Sequence, residues 1–100
     1  MTDAIIDAIE RFRAGLAMFN VIPSAVTEKM EDQIIEATYG PPQEVLVAWR
    51  EPAKTYEGAV AALRLAVDEN AQFSGSVIAD NMVRAAFAYF ATRDEGRSAE

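Results

Sequence analysis

The chain contains neither cysteine nor histidine among its 100 residues. The absence of cysteine excludes disulfides, thiolate nucleophiles, zinc knuckles and iron–sulfur clusters. The absence of histidine removes the commonest general base, the imidazole metal ligand and every Ser-His or Cys-His nucleophile pair. The phosphate-binding patterns GxGxxG and GxxxxGK[ST] are missing as well. An enzyme would have to use carboxylates, lysine, serine or tyrosine, so we expect neither catalytic activity nor a bound cofactor.

Long hydrophobic runs and an excess of positive charge are also lacking. No apolar run approaches the length of about 18 residues that a membrane-spanning helix needs. The N-terminal stretch MTDAIIDAIE is acidic and amphipathic, unlike a signal peptide with its basic start. The 16 acidic residues outnumber the 9 basic ones, and the net charge of −7 repels phosphate backbones. We therefore expect a cytoplasmic protein that binds neither membranes nor nucleic acid directly.

Helical spacing of apolar residues dominates what is present. Thr2 is the expected N-cap of a first helix, which should end near Asn20 because Pro23 blocks its continuation. The apolar residues of this helix recur at spacings of four and three, which predicts one continuous buried stripe. These residues are Ile5, Ile9, Phe12, Leu16 and Phe19.

Two more helices are predicted before the middle of the chain. Ser24 is the expected N-cap of a second helix over about residues 24–38. Gly40 suits the left-handed position that commonly follows the last residue of a helix. Pro42 suits the first turn of a short third helix over about residues 43–51.

The segment EPAKTYEGAVAALRLAV, residues 51–67, places proline, threonine and glycine at intervals of three inside a helical pattern. Pro52 breaks the preceding helix, and the Thr55 hydroxyl is placed to accept the Glu57 or Gly58 N–H as the N-cap of a fourth helix. Four larger apolar residues continue the helical stripe: Tyr56, Val60, Leu63 and Val67. Small residues at every fourth position form a separate ridge that favours close helix packing: Gly58, Ala62 and Ala66. The spacing therefore has a structural explanation that needs no ligand.

The last predicted helix, over about residues 77–92, is apolar nearly all round. Its polar strip consists of Asp80, Asn81 and Arg84. The remaining tail, residues 93–100, is expected to be frayed. The sequence thus predicts an all-α fold: a compact single-domain bundle of four to five helices, one of them short, within residues 1–92.

The acidic residues of the second helix allow two interpretations. A carboxylate metal site is not expected, because bundle metal sites draw carboxylates from facing helices, often together with histidine. Three of the acids, Glu28, Asp32 and Glu36, recur at intervals of four and form an acidic strip. The strip is either a solvated helix face or a surface that steers a basic partner and orients its docking.

A candidate protein-binding surface combines the acidic strip with apolar residues near the proline breaks. Tryptophan and arginine are enriched in binding hot spots, although a lone tryptophan is also a common core anchor, and methionine fills gaps in cores as well as grooves. The candidate partner-binding residues are Phe19, Val21, Ile22, Glu28, Met30, Asp32, Glu36, Trp49 and Arg50.

One element resembles a known group of proteins. The pattern Glu51-Pro52-x-x-Thr55-x-x-Gly58-x-x-Ala61-x-Leu63, following ATYGPPxEVL, resembles small uncharacterised acidic helical proteins of alphaproteobacteria of the rhizobial type. The resemblance covers about the middle third of the chain and brings no catalytic residues. In size, acidity and helical character the chain is also similar to the small antiactivators that bind quorum-sensing transcription regulators of such bacteria. That similarity implies a protein partner, such as a transcriptional regulator.

Three functions are consistent with these observations. The leading hypothesis is a small cytoplasmic regulatory or adaptor protein that binds another protein, for instance as an antiactivator. The second is a homo-oligomeric structural protein whose apolar last helix packs across a two-fold axis, which would make it a homodimer. The third, a carboxylate-based enzyme or small-molecule binder, requires an enclosed pocket with convergent polar groups.

Overall fold

The computed structural model describes residues 3–72 and 75–98. Within these residues the chain forms five helices joined by short connections and no strand, so the predicted all-α bundle is confirmed. The helices are α1 (Ala4–Asn20), α2 (Ser24–Ala37), α3 (Gly40–Val47), α4 (Tyr56–Gln72) and α5 (Val77–Ser98). In this part of the chain, none of the helices has both the length and the hydropathy that a membrane crossing requires.

The core lies mainly between α4 and α5, which form the most extensive helix pair. Many of the side chains buried there are alanines, which favours a close approach of the two backbones. Helix α1 packs across α3 and α4, whereas α2 packs mainly on α3. The buried residues from α4 and α5 are Ala59, Ala62, Leu65, Ala66, Ile78, Ala79, Met82, Ala85 and Ala86.

The first helix follows its predicted stripe but has a different cap. Its N-cap is Asp3, whose carboxylate accepts the Ile5 N–H at 3.4 Å, while the predicted cap Thr2 lies outside the described residues. The end at Asn20 is confirmed. Of the predicted stripe, Ile5, Ile9 and Phe12 are buried, and Leu16 and Phe19 are half-buried near the other end of the helix.

Helix α4 turns a different face to the core than its larger apolar residues indicate. The small-residue ridge (Gly58, Ala62 and Ala66) is buried, whereas Tyr56, Leu63 and Val67 are exposed. The prediction that these larger residues continue the core stripe is therefore wrong. The reason is steric: α4 has neighbours on two sides, α1 and α5, and only its small-residue face allows both to approach closely.

The junction between α2 and α3 also differs from its prediction. Gly40 is not left-handed and does not follow a helix end; it is the first residue of α3. A Cβ atom there would lie 2.8 Å from the Ile35 carbonyl oxygen, so glycine is needed for close approach. The turn is made at Thr38, whose hydroxyl donates to the Ile34 carbonyl at 2.7 Å. Ser24 begins α2 without forming a side-chain cap, since Pro23 occupies the N-cap position.

The third helix lies earlier in the chain than predicted: it begins at Gly40 and ends at Val47, about four residues before its predicted end. Its last carbonyls accept hydrogen bonds from the Asn81 side-chain amide of α5, at 3.0 Å for Leu46 and 2.7 Å for Val47. Of the predicted polar strip, Asn81 is buried, whereas Asp80 and Arg84 are exposed.

In the connection from α4 to α5, Gly75 and Ser76 directly precede the first residue of α5. Gly75 has a φ of 73°, in the left-handed region. The Ser76 hydroxyl accepts the Ala79 N–H at 3.1 Å and donates to the buried Glu69 carboxylate at 3.2 Å, which caps α5 and ties it to α4. Helix α5 continues beyond its predicted end at about residue 92 to Ser98. The division into a domain of residues 1–92 and a frayed tail stays a prediction.

Candidate protein-binding surface

The stretch EPAKTYEG, residues 51–58, has the spacing in the sequence that most suggests a binding site, but it forms a structural junction with Asp3. One oxygen of the Asp3 carboxylate, Oδ2, accepts the Lys54 N–H at 2.8 Å, the Thr55 N–H at 2.9 Å and the Thr55 hydroxyl at 3.0 Å. The Thr55 hydroxyl in turn accepts the Gly58 N–H at 2.9 Å, which confirms Thr55 as the N-cap of α4. A single carboxylate thus caps α1 and holds the entry to α4.

The electrostatics of this junction favour the charged carboxylate. Burial raises the pKa of Asp3, but hydrogen bonds from the Lys54 backbone, the Thr55 hydroxyl and the Ile5 and Thr55 backbone outweigh it and lower the pKa below the ordinary value of an aspartate. Because these protein donors already occupy the carboxylate, the geometry needs no ligand to explain it. Sequence reasoning missed Asp3, whose only local signal is its position as a capping residue type just before the first apolar stripe.

The predicted partner-binding residues fall into two groups. Phe19, Val21 and Ile22 lie at the α1–α2 turn beside α2, which carries the acidic strip and Met30. Trp49 and Arg50 lie beyond the end of α3, in a separate part of the fold. We call the first group the α1–α2 surface, which comprises Phe19, Val21, Ile22, Glu28, Met30, Asp32 and Glu36.

An open groove of about 310 Å³ lies in the α1–α2 surface. Its walls include the half-buried Phe19 and Ile22 and the exposed Glu28. The Phe19 ring is fixed from behind by an edge-to-face contact with Tyr39, with ring centroids 5.2 Å apart. Val21, beside the groove, leaves 81 % of its surface exposed. Apolar and acidic groups therefore meet at the same opening.

The acidic strip crosses an irregularity in α2. Met30, between Glu28 and Asp32, has non-helical backbone angles (φ −133°, ψ 32°), so the two halves of α2 are not in one continuous register. Glu28, Asp32 and Glu36 are all exposed. Among the residues that the structure describes, the ion pair within 4.0 Å joins Arg13 to Asp68, and none involves the acidic strip. Among the described side chains, no cation thus forms an ion pair with the strip.

The second group of predicted partner-binding residues, Trp49 and Arg50, forms hydrogen bonds with nearby residues of the chain. Trp49 is half-buried against the core, and its indole N–H donates to the Glu51 carbonyl at 2.8 Å. The Arg50 guanidinium turns back and donates to the Trp49 carbonyl at 2.8 Å. A shallow groove of about 210 Å³ separates Trp49 from α1. The tryptophan therefore packs on the core with one face and lines a groove with another.

An open groove of about 670 Å³ lies between α1 and α4, where sequence reasoning expected core. Charged side chains border it, and the ion pair between Arg13 and Asp68, 3.0 Å long, joins its two sides. The sequence signal for this groove is the helical spacing of the larger apolar residues of α4. That spacing led to the wrong prediction that these residues face the core. The apolar residues along this α1–α4 groove are Ile6, Ile9, Val60, Ala61, Leu63 and Val67.

Metal-ligating groups are not brought together among residues 3–72 and 75–98, where no cluster of three or more acidic side chains has the geometry to hold an ion. The chain was also compared with known proteins. No protein-family model, no curated protein and no solved structure matches it.

Proposed function

We propose that the chain is a small regulatory or adaptor protein that acts by binding another protein through the α1–α2 surface. The observation that supports this most directly is the unequal burial of α2. Only Ile34 of its residues is buried, while Val26 and Met30 remain about half exposed. The helix thus keeps apolar side chains that contribute little to its own fold.

The energetics of binding favour a partner that covers both the apolar and the acidic side chains of the α1–α2 surface. Each Å² of apolar surface removed from water contributes about 25 cal/mol, before the cost of association. Val21, Met30 and the walls of the groove supply that apolar area. The exposed acidic strip would direct the approach of a basic partner and fix its orientation rather than add much affinity.

Antiactivation of a transcriptional regulator is the concrete form of this function that we propose. It rests on the similarity in size, acidity and helical character to small antiactivators of quorum-sensing regulators, together with the net charge of −7. A regulator's basic surface is the complementary charge. Binding there by this acidic protein would compete with nucleic acid without requiring this protein to contact nucleic acid itself.

The test is affinity capture from the native cell extract with three forms of the chain. The first form is the wild type. The second form carries Glu28→Lys, Asp32→Lys and Glu36→Lys. The third is a matched control with the same charge change at exposed residues elsewhere: Glu44→Lys, Glu51→Lys and Asp80→Lys. Circular dichroism checks that all three fold.

We expect a protein retained by the wild type and the control but lost with the reversed acidic strip. Its purified complex should weaken with salt, because exposed charges are screened beyond about 10 Å at 0.1 M ionic strength. If it is a transcriptional regulator, its DNA binding should fall as this chain is added. Equal recovery by all three forms would remove the α1–α2 surface from the proposal.

A homo-oligomer is the second candidate, supported by the outer face of α5. Phe87 leaves 71 % of its surface exposed there, and Val77 and Val83 are about half exposed. Their spacings of six and four do not form a regular helical seam. Sedimentation of the Phe87→Glu variant tests this face directly, since a dimer that packs through α5 should dissociate.

A further inference from the structure

Four exposed or half-exposed residues on α4 form a regular seam. Tyr56, Val60, Leu63 and Val67 follow one another at spacings of four, three and four, which is the repeat of a coiled-coil contact. Exposure is 60 % for Tyr56, 38 % for Leu63 and 69 % for Val67, and Val60 is half-buried. We call these residues the α4 seam. The next position of the repeat is the polar and exposed Asn70, so the apolar seam ends at Val67.

Two opposite charges border the seam on one side. Glu57 and Arg64 are exposed and lie two helical turns apart, both directly after a seam residue and so on the same flank. On the opposite flank the corresponding residues, Ala59 and Ala66, are small and buried in the core. The seam is therefore apolar in the middle, charged on the accessible side and closed by the fold on the other.

We propose that the α4 seam is covered by the α4 seam of a second copy of this chain, running antiparallel about a two-fold axis. In that arrangement Tyr56 packs against Val67 of the second copy, and Val60 packs against Leu63 of the second copy. The two-fold axis repeats each contact, giving four apolar layers. The overlap covers the apolar seam and stops before Asn70.

The charges select this partner and this direction. In antiparallel coiled coils, residues at the same flanking position of the two helices face each other across the seam. The register fixed by the four layers puts Glu57 opposite Arg64 of the second copy, and the axis repeats the pair. In a parallel arrangement each charge would face the flank occupied by the buried Ala59 and Ala66, so neither would find a partner. The seam is thus self-complementary only when reversed.

Helix α1 widens the surface on the charged side. Ile6 and Ile9 line the α1–α4 groove beside the seam, and Glu10 and Arg13 stand at its edge. A second helix lying along the seam would cover part of this apolar lining as well. The proposal is independent of the α1–α2 surface, because none of the residues of that surface belongs to the α4 seam or to the lining of the α1–α4 groove.

The test uses charge reversal with sedimentation equilibrium between about 1 µM and about 1 mM, a range that detects weak dimers. The wild type should show a concentration-dependent dimer. Glu57→Arg places arginine opposite arginine, and Arg64→Glu places glutamate opposite glutamate, twice in each dimer. We expect either change to weaken self-association by roughly tenfold or more. Arg84→Glu, the same charge change on the exposed face of α5, is the matched control and should leave the dimer unchanged.

Mixing the two reversed chains gives the decisive result. In the antiparallel register, the Glu57→Arg chain and the Arg64→Glu chain present opposite charges to each other at both pairs, so the mixture should form a heterodimer. The double exchange in one chain should restore the homodimer. A wild type that stays monomeric up to about 1 mM overturns the proposal. So does a dimer that resists both single reversals, a mixture that does not associate, or a dimer lost in Phe87→Glu but not in Arg64→Glu.

Discussion

The Thr55 hydroxyl donates to the Asp3 carboxylate at 3.0 Å while it accepts the Gly58 N–H at 2.9 Å. This relay joins the first turns of α1 and α4, although the two residues are 52 positions apart in the chain. Since each helix N-terminus leaves backbone N–H groups without partners, one buried carboxylate that serves both ends stabilises two helices together. The entry to α4 is thus fixed by a residue of another helix.

Replacing Asp3 should therefore destabilise the whole fold. Asp3→Ala removes the cap of α1 and leaves the Lys54 and Thr55 N–H groups without their acceptor. We expect a loss of about 2–4 kcal/mol in the free energy of unfolding, measured by urea denaturation. The exposed Asp32→Ala should change it by less than about 0.5 kcal/mol. Equal effects of the two substitutions would mean that the junction contributes nothing beyond a surface charge.

The contribution of Asp3 should disappear in acid. Its pKa is lower in the folded chain than in the unfolded one, so the unfolded state binds more protons as the pH falls toward the folded pKa. The stabilisation is present in full above the unfolded value of about 3.9 and is lost as the pH drops through the folded value. Unfolding of wild type and Asp3→Asn from pH 7 to pH 2 should show a difference that shrinks below about pH 4. A difference in unfolding free energy that stays constant or widens in acid would contradict this prediction.

Gly58 should tolerate no side chain while Asp3 is present. A Cβ at Gly58 would collide with the Asp3 carboxylate and lie 3.0 Å from the Ile5 side chain. Although alanine is the better helix former, we expect Gly58→Ala to lower the free energy of unfolding by about 1–3 kcal/mol.

The cause of that loss can be isolated with a double-mutant cycle. In an Asp3→Ala background the carboxylate is gone, so Gly58→Ala should cost much less or become neutral. Additive losses would place the strain elsewhere than at the carboxylate. Gly58→Leu is larger still and should reduce stability before it affects partner capture; a stable Gly58→Leu chain that no longer binds would show that this segment is a site after all.

Local rules account for the parts of the fold that neighbouring residues decide. The end of α1 before Pro23 and the Thr55 cap depend on groups within a few positions, and both were predictable. The face that α4 buries was not, because two apolar faces compete and the choice depends on which neighbours pack beside it. The role of the Asp3 carboxylate was not predictable from its neighbours either, since most of the groups that donate to it lie far along the chain.

Some features of the candidate surfaces could also be predicted from the local sequence, and others could not. Exposure of the acidic strip follows from its own helical spacing. The kink at Met30 that interrupts the strip has no local signal such as proline or glycine. The α4 seam was visible as a repeat, but periodicity alone does not tell a core stripe from a contact with another molecule. Only the burial of the opposite ridge separates the two.

Asn81 offers a last test of a contact that sequence reasoning missed. Its buried amide donates to the Leu46 and Val47 carbonyls at the end of α3, and so ties α3 to α5. Asn81→Ala should cost about 1–3 kcal/mol and increase amide hydrogen exchange in α3. Asn81→Asp should cost more at neutral pH, because a carboxylate would face two carbonyl oxygens with no donor. Part of that loss should return at low pH relative to Asn81→Ala, since a protonated carboxyl can donate once. An Asn81→Asp chain as stable at pH 7 as the wild type would show that the amide does not hold α3.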